Sequence, residues 1–162
     1  MDGENWREPA ELAKAHAPAI YRLAYARTGS RADAEEVTQE TFFRALASID
    51  QFRGDCQLRV WLCQIARNQY LSLCRERKRR GELEKDPGDD GIERGFADRD
   101  AARRLHRLLH NLPEPYKEVF SLRTFGELPF SQIGELFGKT ESWARVTYFR
   151  ARQKLKEGFD GT

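Results

Sequence analysis

This 162-residue sequence has no long apolar run, and it contains only three cysteines and one methionine. No stretch approaches the length of a membrane span. The N-terminal residues 1–9 lack the basic segment followed by an apolar segment that is typical of a signal peptide. These absences predict a protein that stays in the cytoplasm and does not insert into a membrane.

The cysteines indicate neither a disulfide framework nor a metal site. Cys56, Cys63 and Cys74 are odd in number and separated by seven and eleven residues, with no CxxC pair or Cys/His cluster of zinc spacing. We interpret them as reduced thiols, and we expect no metal and no cofactor. A redox switch at Cys56, which falls in a predicted loop, is the alternative.

The net charge of +2 conceals an uneven distribution of charge along the chain. Residues 58–80 carry seven basic and one acidic residue, and residues 139–156 carry six and one. Residues 82–100, between them, carry eight acidic and three basic residues. This pattern predicts two nucleic-acid contacts joined by a segment that avoids DNA or mimics it.

Apolar residues at helical spacing predict three helices in the N-terminal half. The first, about 9–27, contains Pro18, which predicts a kink or break. The second, about 31–48, begins after Ser30 with an acidic variant of the capping box. The third, about 58–79, ends in the cationic cluster RERKRR, for which we favour phosphate contact over helix capping alone.

The second half begins with a change in composition. Residues 81–95 contain four glycines, one proline and few apolar residues, which predicts a flexible linker. An amphipathic helix starting at Asp98 and another opened by Pro113 follow. The predicted fold class is all-α, with two small helical domains, residues 1–80 and 98–162, joined by a flexible acidic linker of residues 81–97.

The stretch 130–156 predicts two short helices around a tight turn. Gly138 tolerates the positive φ found where helices end, and Thr140 can cap the helix that follows. The small residues Gly134 and Ala144 stand where two crossing helices approach closely. This spacing predicts a helix-turn-helix with a basic second helix that fits a DNA major groove. An ordinary αα-hairpin with a solvated charged face is the alternative.

The order of four segments along the chain is informative about its family. The segments are DAEEVTQETFFRAL (33–46), WLCQIARNQYLSLCRERKRR (61–80), NLPEPYKEVFSLRTF (111–125) and RARQKL (150–155). Together they resemble the small two-domain sigma factors of bacterial RNA polymerase, the extracytoplasmic-function (ECF) group of the sigma-70 superfamily. The resemblance covers nearly the whole chain outside the linker. It implies a promoter-melting domain, region 2, followed by a helix-turn-helix domain, region 4. The implied function is to bind core RNA polymerase and direct promoter recognition and DNA opening, without enzymatic activity.

The resemblance also implies partners and site residues. The partners are the clamp helices of the polymerase largest subunit, promoter DNA and an anti-sigma factor. The implied polymerase contacts are Asp33, Glu36, Gln39, Glu40 and Phe43. The implied minus-10 contacts are Phe52, Arg53, Arg67, Asn68, Leu71, Arg75 and Lys78. The implied minus-35 contacts are Lys139, Ser142, Trp143, Arg145, Val146, Thr147, Arg150 and Lys154. We assign Arg145 to a base edge and Lys139, Arg150 and Lys154 chiefly to phosphates.

The sequence departs from the family pattern in the second helix of the helix-turn-helix. The family usually reads like TVRSRLHRAR, whereas this chain reads WARVTYFRAR, with Trp143, Val146 and Thr147 in place of Thr, Ser and Arg. A minus-35 sequence therefore cannot be carried over from the family. In the melting helix, Ser72 stands where the family often has Asp.

Two other classes of protein are the alternatives. A stand-alone helix-turn-helix regulator would need a sensor or dimerisation domain, but the N-terminal half shows neither a ligand-pocket pattern nor heptads. An enzyme such as a serine recombinase would need strands and a Ser among activating arginines. No strand-period stretch precedes the linker, and His16, His106 and His110 are scattered over predicted helices.

Overall fold

A computed structural model describes residues 9–52, 57–81 and 96–161. Within these ranges the regular elements are all helical, which confirms the predicted all-α class. The helices are α1 (Pro9–Thr28), α2 (Arg31–Ala47), a short 3-10 helix (Ile49–Gln51), α3 (Leu58–Arg80), α4 (Phe96–His110), α5 (Tyr116–Thr124), α6 (Phe130–Leu136) and α7 (Glu141–Asp160). We call α1–α3 the N-terminal unit and α4–α7 the C-terminal unit.

Local capping chemistry sets several helix ends where the sequence predicts them. The Ser30 hydroxyl accepts a hydrogen bond from the Asp33 amide at 3.3 Å, and the Thr140 hydroxyl accepts one from the Trp143 amide at 3.0 Å. Each bond satisfies an amide that the first turn of a helix leaves without a partner. Gly138, with φ of 66°, ends the turn after α6.

The structure differs from the prediction at the start of α4, which is Phe96 rather than Asp98, at Pro18 and at the start of α5. Helix α1 continues through Pro18, because the following turns are held in the core by buried Ala19, Ile20 and Leu23. That burial outweighs the loss of one backbone hydrogen bond at the proline. Helix α5 begins at Tyr116 rather than at Pro113.

The two units share an apolar core. Buried residues of the N-terminal unit, including Leu23 and Tyr70, form one cluster with Val119, Leu122 and Ile133 of the C-terminal unit. A smaller cluster joins Ala26 of α1 to the following buried residues of the C-terminal unit: Leu109, Leu112, Ala151 and Leu155. Apolar surface removed from water therefore favours contact between the units, at roughly 25 cal/mol per Å².

Some predictions fall on residues outside the described ranges. Residues 53–56 of the predicted loop, which include Arg53 and Cys56, are among them. So are residues 82–95 of the predicted linker. The domain limits at residues 80 and 98 stay predictions.

Helices α6 and α7 form the expected helix-turn-helix, in which Gly134 of α6 lies close to the backbone of the turn. A Cβ atom at Gly134 would lie 2.5 Å from the Thr140 carbonyl oxygen and 2.9 Å from that of Lys139. These are backbone atoms, so they cannot move aside as a side chain would. The Lys139 amide donates to the Gly134 carbonyl at 2.8 Å, which holds the turn tightly against α6.

We expect Gly134→Ala to destabilise the protein by about 1–3 kcal/mol, because the added methyl group overpacks a backbone contact. The check is the free energy of unfolding from urea titration. Ser131→Ala, at an exposed position of the same helix, is the control and is expected to change stability by less than about 0.5 kcal/mol. A Gly134→Ala protein as stable as the control would contradict the close approach.

Candidate nucleic-acid and protein interfaces

Helix α7 has a buried stripe and an exposed basic face. The stripe consists of Ala144, Thr147, Ala151 and Leu155, spaced three or four residues apart. Six of the predicted minus-35 residues are exposed: Lys139, Ser142, Arg145, Val146, Arg150 and Lys154. Thr147 is only 5% exposed, so, contrary to prediction, its side chain does not belong to the exposed face. Trp143 is half-buried, with its ring centroid 5.3 Å from that of Phe137.

Arg145 is held in position on this exposed face. Its Nη2 donates to Glu141 one turn earlier, at 2.9 Å, and its guanidinium lies 5.1 Å from the ring centroid of Phe130. The ion pair is solvent-exposed, so it costs little to break when DNA offers a better acceptor. Arg145 is therefore at an exposed position, with contacts to Glu141 and Phe130 that hold its guanidinium near the start of α7.

Phe149 is a candidate that the sequence reasoning missed. Its side chain is 51% exposed, and that of Val146, one turn earlier on the same face, is 46% exposed. Arg145 and Arg150 flank this apolar pair. The signal was present in the sequence, because Val146 and Phe149 are three residues apart and lie outside the buried stripe.

Helix α3 presents two adjacent faces instead of one continuous basic surface. Asn68, Arg75 and Lys78 are exposed, and Leu71 beside them is half-buried. Arg67, predicted to belong with them, instead points at the C-terminal unit. Phe52, at the N-terminal side of this surface, packs on Trp61 with ring centroids 5.0 Å apart.

Glu118 of α5 is the partner of Arg67. Its carboxylate accepts from Arg67 Nε at 2.5 Å, from Arg67 Nη2 at 3.3 Å and from the Tyr70 hydroxyl at 3.0 Å. Glu118 is 5% exposed, and it lies in the first turn of α5, where the helix dipole favours an anion. Burial and the adjacent Glu118 carboxylate raise the pKa of Tyr70, so its hydroxyl stays a donor.

Further contacts join the units around this pair. Arg27 pairs with Glu114 at 2.8 Å, and Arg59 pairs with Glu127 at 3.6 Å. The Cys63 thiol lies 4.0 Å from the Gly126 carbonyl oxygen. Burial raises the pKa of Cys63 to about 12, which leaves almost no reactive thiolate at neutral pH.

Helix α2 presents an exposed face of mixed character. Glu36, Gln39 and Phe43 are exposed and Glu40 is half-exposed, at the spacing of one helix face. Phe43 is 70% exposed, which is unusual for a large apolar residue. Asp33 does not belong to this face, contrary to prediction. It is buried and accepts a hydrogen bond from Arg77 Nη2 at 2.5 Å.

Residues 9–52, 57–81 and 96–161 contain no group of three or more His, Cys, Asp or Glu side chains placed to hold a metal ion. Among the helices described above, none is both long enough and apolar enough to cross a membrane.

Comparison with known families accounts for both units. A family model for Sigma-70 region 2 matches residues 12–80, and one for Sigma-70 region 4 matches residues 102–155. The ECF RNA polymerase sigma factor SigE of Mycolicibacterium smegmatis is 30% identical over 154 residues, covering 91% of this chain and 60% of that protein. The chain belongs to the ECF sigma factors. Members of this family are transcription initiation factors rather than enzymes, which excludes the recombinase alternative.

Other relatives of this sigma factor agree. The ECF RNA polymerase sigma factor SigW of Bacillus subtilis is 26% identical over 162 residues, covering 91% of this chain and 87% of that protein. Among solved structures, the fold matches the sigma factor RpoE, crystallised with the anti-sigma factor NepR from Bartonella quintana, with a TM-score of 0.80 at 22% identity. That match covers 93% of this chain and 96% of the other. CnrH in complex with the cytosolic domain of CnrY matches with a TM-score of 0.74 at 23% identity, covering 98% and 91%.

We expect Asp33→Asn to destabilise the sigma factor by about 2–3 kcal/mol, because it removes the buried charge that pairs with the partly buried Arg77. The measurement is urea unfolding. Glu36→Gln, three residues further along the same helix and exposed, is the matched control and is expected to change stability by less than about 0.5 kcal/mol. Equal effects of the two substitutions would show that the Asp33–Arg77 pair does not stabilise the fold.

Proposed function

We propose that this sigma factor binds core RNA polymerase in the cytoplasm and directs promoter recognition and DNA opening. The observation that carries the proposal is the presence of both a region 2 unit and a region 4 unit in one chain, in that order. A stand-alone helix-turn-helix regulator would account for region 4 alone. It would leave the exposed acidic and basic helix faces of region 2 without a role.

The exposed face of α7 is the proposed reader of the minus-35 element in the major groove. Arg145 is suited to a bidentate contact with guanine, and Lys139, Arg150 and Lys154 to phosphates. Val146 and Phe149 add an apolar contact. The major groove presents one apolar group, the thymine methyl, so we infer that this pair contacts thymine. We assign Trp143 to the packing that supports the turn between α6 and α7, and not to the face of α7 that enters the major groove.

The exposed side of α3 is the proposed minus-10 surface on the non-template strand. Asn68 and Leu71 would contact bases, and Arg75 and Lys78 phosphates, with Phe52 at the N-terminal side. Arg53 lies outside the described residues and is assigned to this surface from the sequence alone. Unstacking a base costs a few kcal/mol, and stacking plus cationic backbone contacts can offset that cost. Opening then requires no hydrolysis, because binding favours the single strand over the duplex.

The exposed face of α2 is the proposed contact with the clamp helices of the polymerase largest subunit. Glu36, Gln39, Glu40 and Phe43 form this face, and Leu46, 37% exposed, extends its apolar part. An apolar anchor ringed by polar side chains is typical of protein interfaces. We also propose an anti-sigma factor as a regulatory partner, because the structural neighbour RpoE was crystallised with one.

Run-off transcription with core polymerase from the native host tests the proposal. The chain is expected to support initiation from a subset of upstream regions.

Phe43→Ala is expected to weaken binding to core polymerase by about 2 kcal/mol or more, as loss of a central aromatic anchor does. Asn68→Ala is expected to impair strand opening, measured by permanganate reactivity, while core binding is unchanged. Failure of the wild-type chain to bind core polymerase would overturn the proposal.

The thymine contact has its own test. Replacing a thymine of the selected minus-35 element by deoxyuridine removes only the methyl group. We expect this change to weaken holoenzyme binding by about 1 kcal/mol, roughly fivefold, for wild-type protein. With Phe149→Ala the same replacement is expected to have a clearly smaller effect, because only Val146 of the apolar pair remains.

Phe159→Ala, at a half-buried position beyond the groove face of α7, serves as the comparison and is expected to keep the wild-type sensitivity to deoxyuridine. A Phe149→Ala protein that still distinguishes thymine from deoxyuridine by the wild-type factor would rule out this contact.

A further inference from the structure

Arg67 is placed differently from the rest of the proposed minus-10 surface. Asn68, Arg75 and Lys78 face solvent, whereas Arg67 is bound to Glu118 of the C-terminal unit through two hydrogen bonds. The Arg67 guanidinium also lies 5.2 Å from the ring centroid of Phe137 in the helix-turn-helix. Two different elements of region 4 therefore hold one cation of region 2.

We propose that Glu118 is an internal latch, which occupies Arg67 in the free chain in place of a nucleic-acid phosphate and so keeps regions 2 and 4 closed on each other. This inference rests on the proposed function, because it takes Arg67, which the family resemblance assigns to the minus-10 contacts, to join the proposed minus-10 surface once the units separate. Promoter binding and the latch then exclude each other.

Competition follows from the geometry of the guanidinium. An arginine presents five N–H donors in a plane, and its Nε/Nη2 edge can bind one carboxylate or one phosphate at a time in a bidentate manner. Glu118 uses that edge through Nε and Nη2, at 2.5 and 3.3 Å. Arg67 cannot offer the same two donors to DNA until the Glu118 carboxylate has moved away.

Dimensions make the closed arrangement incompatible with both promoter elements at once. Elements named for positions 10 and 35 lie about 25 base pairs apart, or about 85 Å at a rise of about 3.4 Å per base pair. Each unit of this size is about 30 Å across, so two units in contact span at most about 60 Å. The shared core must therefore separate when both elements are bound.

Energetics allow the latch to open. A buried ion pair adds little net stability, since the attraction is offset by the loss of hydration of both groups, yet removal of one partner is costly. Opening returns Glu118 and Arg67 to water together, which recovers their hydration. The pair thus specifies how the units dock, and the apolar contacts supply most of the affinity between them.

Cys63 provides a direct reporter of opening. It is fully buried on α3, and its Sγ lies under the Gly126 backbone of region 4. Separation of the units uncovers the thiol. Its alkylation by N-ethylmaleimide, followed by mass spectrometry in a Cys56→Ser/Cys74→Ser background, then measures the open population.

We expect slow alkylation of Cys63 in the otherwise wild-type chain. In Glu118→Gln we expect alkylation to be at least about tenfold faster, because the charge that holds Arg67 is removed. Glu135→Gln is the matched control, since it makes the same change of charge at an exposed position of the same unit. It is expected to alkylate at the wild-type rate. The charge exchange Arg67→Glu/Glu118→Arg is expected to restore slow alkylation. Circular dichroism confirms that each variant is folded.

Two results would overturn the latch. The first is equal alkylation of Glu118→Gln and Glu135→Gln. The second is a wild-type chain that already reacts like an exposed thiol. Neither measurement involves polymerase or DNA, so the latch and the sigma function can fail separately.

The competition itself is tested with a fluorescent single-stranded oligonucleotide. Glu118→Gln is expected to bind it about tenfold more tightly than Glu135→Gln does, since one bidentate phosphate contact becomes available. Faster alkylation without tighter binding would show that Glu118 does not compete with nucleic acid.

Discussion

The contact between Glu118 and Arg67 is the constraint on which the arrangement of this sigma factor depends. A carboxylate that is 5% exposed requires a cation and donors, and region 2 supplies both through Arg67 and Tyr70. This requirement fixes where α5 lies on α3. Once α5 is placed, Val119 and Leu122 enter the core of the N-terminal unit, and the helix-turn-helix follows α5.

Helices α3 and α7 each pack one side into the core and leave another side exposed. On α7 the stripe from Ala144 to Leu155 packs inward, which leaves Arg145, Val146 and Phe149 outside. On α3 one side carries Cys63, Arg67 and Tyr70 toward region 4, and the next carries the exposed polar and basic residues. A chain of small net charge can thus present distinct basic and acidic faces to DNA and to polymerase.

Local chemistry explains which features were predictable from the sequence. Caps at Ser30 and Thr140 and the turn at Gly138 depend on residues within three or four positions, so their residue types predict them. The close approach at Gly134 follows from helix-turn-helix spacing. Burial of Thr147 was not predictable from the sequence, because a threonine on a basic helix fits either face and only the tertiary packing decides between them.

Charge pairing between distant segments was not predictable in the same way. Asp33 was predicted to belong to an exposed acidic face, but it accepts a hydrogen bond from Arg77, which lies 44 residues away in the sequence. Arg67 looked like part of a basic face, but its acceptor Glu118 is 51 residues away. The periodicity of a sequence predicts which sides of a helix are polar. Which charged side chain pairs with which depends on the tertiary arrangement of the helices.

The central claim is that region 2 and region 4 of the free sigma factor form one closed body with a shared core. Small-angle X-ray scattering of the isolated wild-type chain tests it most directly. A closed chain of this length is predicted to have a radius of gyration of about 15 Å. A value above about 20 Å, as expected for two separated units on a linker, would contradict the account.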